Sequence, residues 1–94
     1  MSLEFECDPK KASTNQAKHG VTFTEAATVF ADSLAVIFDD PAHSDEESRE
    51  LIVGHSNKNR LLIVSFTERD DALRIIRARK ATKQERKDYE ENCP

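Results

Sequence analysis

Glycine is nearly missing from this chain. Gly20 and Gly54 are the only two in 94 residues, which removes the glycine-rich loops that cradle phosphates or dinucleotides from consideration. The Gly-x-Ser-x-Gly elbow of serine hydrolases is absent as well. Cysteine is as scarce: Cys7 and Cys93 lie near opposite ends and match neither a metal-ligand spacing nor the dense framework of small secreted domains, so both read as free thiols. His19, His43 and His55 lack the close spacing of a histidine metal site, and neither a metal nor another cofactor is expected. No apolar run approaches the length of a membrane span. The acidic start MSLEFECD lacks the apolar segment of a secretory signal, so the expected setting is the cytoplasm.

Charge is what the chain has in quantity. Its net value of -4 argues at first against an anionic partner, but the average hides a segregation. Residues 69–87 carry eight cations (Arg69, Arg74, Arg77, Arg79, Lys80, Lys83, Arg86 and Lys87) against Asp70, Asp71 and Glu85, a local balance of +5 that leaves -9 for the remainder. Such asymmetry fits a basic face for an anionic polymer. It fits equally an ordinary solvated surface on which the cations pair with nearby carboxylates.

A chain of this length reads as one domain, residues 1–94. Glu4 to Cys7 is a brief alternating strand. Asp8-Pro9 starts a helix, with a side-chain acceptor for the first amides and a proline where no N–H is needed, and Gly20 closes it. Thr22 with Glu25 forms a capping box for a second helix, whose Phe23, Ala26, Ala27 and Phe30 make one apolar stripe. Short strands follow at 34–38 and 50–55, separated by a polar loop over 42–48. Leu61 to Thr67 is apolar enough for a strand buried on both faces. The turn 68–72 leads into a strand from Leu73 that alternates poorly: Arg77 and Arg79 share a face with Leu73 and Ile75, while Arg74 falls with Ile76 and Ala78. A bulge, or a strand overhanging its helical cover, reconciles this. Thr82 with Glu85 opens a last helix from Lys83 to about Glu91, with Tyr89 its one large ring. The expected architecture is α+β, with a compact antiparallel sheet, helices on one face, and a short, polar C-terminal helix.

Arginines, histidines, threonines and one tyrosine suit metal-independent RNA cleavage. A base takes the 2′-hydroxyl proton, cations hold the phosphate as charge builds on it, and an acid protonates the departing oxygen. Arginine clamps two phosphate oxygens at once, and histidine is the natural proton carrier near neutral pH. Each residue also has a plainer reading. His19 sits where an imidazolium interacts with the last carbonyls of its helix, His55 reads as a half-buried strand residue, His43 as surface, and Tyr89 as packing.

The chain resembles the BrnT family of ribonuclease toxins, which are partnered by antitoxins in bacterial type II pairs. The resemblance is carried by FECDP from Phe5, N-x-x-KHGVTF from Asn15, EAATVFAD from Glu25, RELIVGHS from Arg49, RLLIVSFTER from Arg60 and RIIRARKATKQERKDYE from Arg74. It implies a RelE-like fold, RNA cleavage that suppresses translation, and a ribbon-helix-helix, BrnA-like antitoxin that joins the toxin in a hetero-oligomer. His19, Arg49, Thr67, Arg79 and Tyr89 are the implied catalytic set and Lys18, Arg69, Arg74 and Arg86 the implied RNA-binding set, which Arg77 and Lys80 join from the basic charge of the same segment. Two positions depart from the family pattern: Arg77 stands where a serine is usual, and Cys7 where an aromatic residue is usual. The alternative is a non-catalytic module whose basic face recognises nucleic acid or an acidic protein.

Overall fold

A computed structural model describes residues 4–40 and 49–92. The loop expected over 42–48, with His43, lies outside them, as does Cys93. Five strands form one sheet: β1 (Glu4–Glu6), β2 (Val36–Asp39), β3 (Arg49–His55), β4 (Leu61–Arg69) and β5 (Ala72–Lys80), in spatial order β1-β5-β4-β3-β2. The helices are α1 (Pro9–His19), α2 (Phe23–Thr28), extended by a 3-10 turn over Val29–Ala31, and α3 (Lys83–Asn92).

The local signals work as the sequence implies, except that the box at Thr22 is half made, since the Glu25 carboxylate turns to Ser56 and Arg60 instead of back to the Thr22 N–H. Asp8 caps α1 by accepting from the Lys10 N–H at 2.9 Å, and Gly20 closes it in the left-handed conformation, φ 69°. Thr22 caps α2 through the Glu25 N–H at 3.0 Å. The β4–β5 hairpin turns on Asp70 and Asp71, both at positive φ. Two left-handed residues make a turn whose twist matches that of the strands, and aspartate tolerates the conformation better than most residues.

Two features differ from expectation. The sheet is mixed, because β1 pairs in parallel with β5 (Glu4 opposite Ala72, Glu6 opposite Arg74). Three reversals from β2 to β5 return the chain beside β1 in the same direction. Helices also cover both faces rather than one. The larger core, built on Phe23, Ala26, Val29, Ile52, Leu62, Val64, Phe66, Ile75 and Ala78, lies under α1 and α2, while Val53, Leu61 and Ile63 of the opposite face pack with Tyr89 of α3.

Polar anchors join the layers. Asn15 is buried although α1 reads as a polar helix, and its amide donates to Val21 O (2.9 Å) and Ala78 O (2.8 Å) and accepts from Ala78 N–H (3.0 Å). The register with β1 ends at Arg74, so the Asn15 amide takes the place of a neighbouring strand for Ala78. Glu25, 3% exposed, accepts from Ser56 Oγ (2.6 Å) and from both Nε and a terminal nitrogen of Arg60, which also donates to Gly20 O (3.2 Å). Arg60 beside it holds the Glu25 carboxyl below its usual range, against the opposing effect of burial. Gly54 permits close packing: a methyl group there would come within 2.8 Å of Ala35 Cβ and 3.0 Å of Asp32 Oδ2.

Replacing Asn15 with leucine strands three backbone groups without partners, each costing on the order of 1–3 kcal/mol when buried. The expected outcome is a loss of at least about 2 kcal/mol in urea denaturation. An unchanged midpoint would show that Asn15 is not an anchor.

Candidate RNA-binding face

The parity conflict on β5 is resolved by a bulge. Ser65 pairs with Arg77, but the next residue, Phe66, pairs with Ile75, so Ile76 is skipped. One extra residue reverses the alternation. Leu73, Ile75 and Ala78 therefore all reach the larger core, and Arg74, Arg77 and Arg79 all fall on the opposite face. Three cross-strand rows result there: Arg49–Thr67–Arg74, Leu51–Ser65–Arg77 and Val53–Ile63–Arg79. Adjacent members of a row stand about 5 Å apart, and successive rows about 7 Å apart.

The three rows differ in character. In the first, two guanidinium-bearing residues flank buried Thr67. Among the described residues no carboxylate pairs with Arg74 or with Arg77 of the second row. A hollow beside Arg74 is lined by Phe5, Glu6, Cys7 and Asp8. Ser65, at the centre of the second row and 3% exposed, has a buried hydroxyl with no hydrogen-bond partner. It is a polar group the sequence reading missed, since a lone serine inside LLIVSFT gives no signal of its face or its neighbours.

Arg79, in the third row, is already engaged. Its guanidinium forks onto Glu85 of α3 at 2.7 and 2.9 Å. Glu85 also accepts from the Thr82 N–H at 2.8 Å, completing the expected capping box. Arg79 first, then the Thr82 amide, lower the Glu85 carboxyl to about 2, and Arg79 is raised in turn. Tyr89 holds the other half of α3: its hydroxyl donates to Leu34 O at 2.9 Å and its ring meets His55 edge-on at 5.9 Å. Between α3 and the sheet lies a cleft of about 410 Å³, walled mainly by Val36, Phe38, Leu51, Val53, Ile63 and Tyr89.

Arg49, Arg74 and Arg79 thus do not close on one phosphate. Arg79 stands two rows from the other pair, about 13 Å along β4, and Glu85 occupies its fork. Arg69 lies exposed at the hairpin end of β4, and Arg86 is exposed on α3. Lys18 and His19 end α1, which packs on the other face through Ala12 and Asn15. The Arg60 bond to Gly20 O places them at the end of the sheet where β4 begins. Lys80, exposed, is at that end too, opposite Leu62. The structure therefore does not bring His19 into the Arg49–Thr67–Arg74 row.

A helix-backed sheet that gathers its arginines on one face defines a small α+β protein of toxin-like size and layering. The comparisons make that class specific. The family model described as "Ribonuclease toxin, BrnT, of type II toxin-antitoxin system" matches residues 7–85, and the chain belongs to that family. The fold is similar to the crystal structure of the Brucella abortus ribonuclease toxin BrnT, with TM-score 0.68 and 26% identity over 87% of this chain and 100% of that one. No curated protein matches the sequence.

The Glu85 anchor sets a pH dependence. A carboxylate depressed from 4.5 to about 2 contributes stability that is complete above the ordinary value and is lost as pH falls toward the lower one. Tyr89 is the only tyrosine and there is no tryptophan, so its fluorescence reports the docking of α3. Glu85→Ala is expected to give the undocked signal at neutral pH while the sheet's circular dichroism is retained. A docked signal in that variant would remove Glu85 from the anchor.

Proposed function

We propose that the open sheet face binds single-stranded RNA along β4 and β5 and cleaves it without a metal ion. The observation that carries this reading is the bulge at Ile76, which turns Arg74, Arg77 and Arg79 to one side. The first row provides the phosphate site: Arg49 and Arg74 approach from either side of Thr67, where two forks can hold the oxygens of one phosphate or of two successive ones. Arg77, in place of the family's usual serine, adds a cation to the second row.

In such cleavage the 2′-hydroxyl gives its proton to water and its oxygen bonds to phosphorus, the bond to the 5′-oxygen breaks as that oxygen takes a proton from water, and negative charge peaks on the phosphoryl oxygens in between. Guanidinium groups fixed by a sheet stabilise that charge with little reorganisation. Among the described residues this row holds no histidine, so charge stabilisation carries the catalytic effect assigned to it. His19, Lys18 and Lys80 then belong to the far end of the bound strand, and Arg79 joins them once RNA competes with Glu85 for its fork. Destruction of messenger RNA would arrest translation in the cytoplasm, with a BrnA-like ribbon-helix-helix protein as the neutralising partner.

The test is cleavage of single-stranded RNA in EDTA. Arg74→Ala is expected to lower the rate about 100-fold, as for the loss of one charge-stabilising donor, with circular dichroism unchanged. His19→Ala is expected to affect the rate less. Retained RNA affinity without turnover in the unmodified protein would instead identify a binding module. Full cleavage by the Arg49→Ala, Arg74→Ala double variant would move the site elsewhere.

A further inference from the structure

The large apolar residues that remain exposed are not scattered. Of five among the described residues, four fall within one stretch: Leu34 (56%), Val36 (38%), Ile37 (52%) and Phe38 (46%). This stretch leads into and forms most of β2, the last strand of the sheet, which among the described residues pairs on one side only, with β3. The strand is apolar on both faces, with Val36 and Phe38 toward the α3 cleft and Ile37 on the side of the larger core. An apolar strand with a free edge is a template for strand addition, and charges on edge strands ordinarily block that.

The charges at this edge select the occupant. Asp39 stands directly opposite Glu50, and among the described residues no salt bridge reaches either carboxylate. Like charges so placed destabilise a strand pair. On the cleft side Asp88 adds a further acid, while Glu85 and Arg79, the one cation among the cleft's described lining residues, neutralise each other. RNA is repelled by such a border. A second copy pairing edge to edge would bring the same acids together. A basic, extended protein segment has the opposite complement.

We propose that the free edge of β2 receives an extended segment of the antitoxin, alternating apolar side chains with lysine or arginine. Its backbone pairs with β2, its apolar residues cover Val36, Ile37 and Phe38, and a cation neutralises the Asp39–Glu50 pair. This rests on membership of a toxin–antitoxin family, not on the cleavage chemistry, and it separates the docking edge from the arginine rows.

The experiment uses the full chain and a ribbon-helix-helix antitoxin of the same family, with affinity measured by calorimetry and RNA cleavage measured in parallel. Ile37→Lys is expected to weaken antitoxin binding about tenfold or more and to leave cleavage unchanged, since Ile37 is exposed and lies on the face opposite the arginine rows. Asp39→Lys is expected to raise the melting temperature of the free chain, by pairing with Glu50, and yet to weaken the complex. A purely structural role would not give that combination. Arg77→Ala is expected to impair RNA binding and to leave antitoxin affinity within about twofold. The proposal is overturned if both edge variants bind like the unmodified chain or if affinity falls with the arginines instead. It is equally overturned if Ile37→Lys merely converts a dimeric free chain to a monomer, which would make a second copy the occupant.

Discussion

A β-strand has two faces and a strict alternation, and β5 must satisfy two demands that alternation cannot meet together. Leu73, Ile75 and Ala78 are needed beneath α1 and α2, while Arg74, Arg77 and Arg79 must stay on the other side. With no irregularity, either Arg74 or the Arg77–Arg79 pair would enter the core. An unpaired guanidinium there costs several kcal/mol, far more than the ladder interaction a bulge gives up. The single offset at Ile76 satisfies both demands. It also gathers the cations on one side of the sheet.

Around that strand the layers are fastened by a few buried polar groups rather than by hydrocarbon alone. Asn15 fixes α1 to β5, Glu25 fixes α2 to the start of β4 through Arg60, and Asp32 fixes the segment after α2 to β3 by accepting from the His55 and Leu34 amides. Those two amides lower the Asp32 carboxyl below its ordinary value. On the other face α3 is attached through Glu85 to Arg79 and through Tyr89, which donates to Leu34 O and packs with Val53, Leu61 and Ile63. The core beneath α1 and α2 is the larger of the two.

Legibility in the sequence follows the distance over which each feature is determined. Asp8-Pro9, Gly20, Thr22 and the Thr82–Glu85 box act within a turn or two, and all are where the sequence places them. The apolar run from Leu61 gives β4 directly. The bulge is different, because its position depends on the register between Ser65 and Arg77, and composition alone leaves it open. Asn15 and Glu25 read as surface and capping residues because their partners lie 63 and 35 residues away. The candidate site was legible as an inventory of arginines but not as a grouping. The remoteness of His19 and the buried Ser65 hydroxyl come from long-range packing, and Arg79 meets Glu85, only six residues on, because of the path the chain takes from β5 into α3.

The Asn15 amide has a further effect on how molecules of this kind associate. Filament growth by sheet extension needs a receptive border at both ends of the sheet, so that each added unit offers a fresh one. Here β1 spans three residues, and beyond it the backbone of Ala78 is occupied by Asn15. A side chain thus withdraws part of that flank from pairing, and among the described residues β2 is the longer receptive border. Such asymmetry disfavours repeated addition along the hydrogen-bonding direction, and with it growth into fibres.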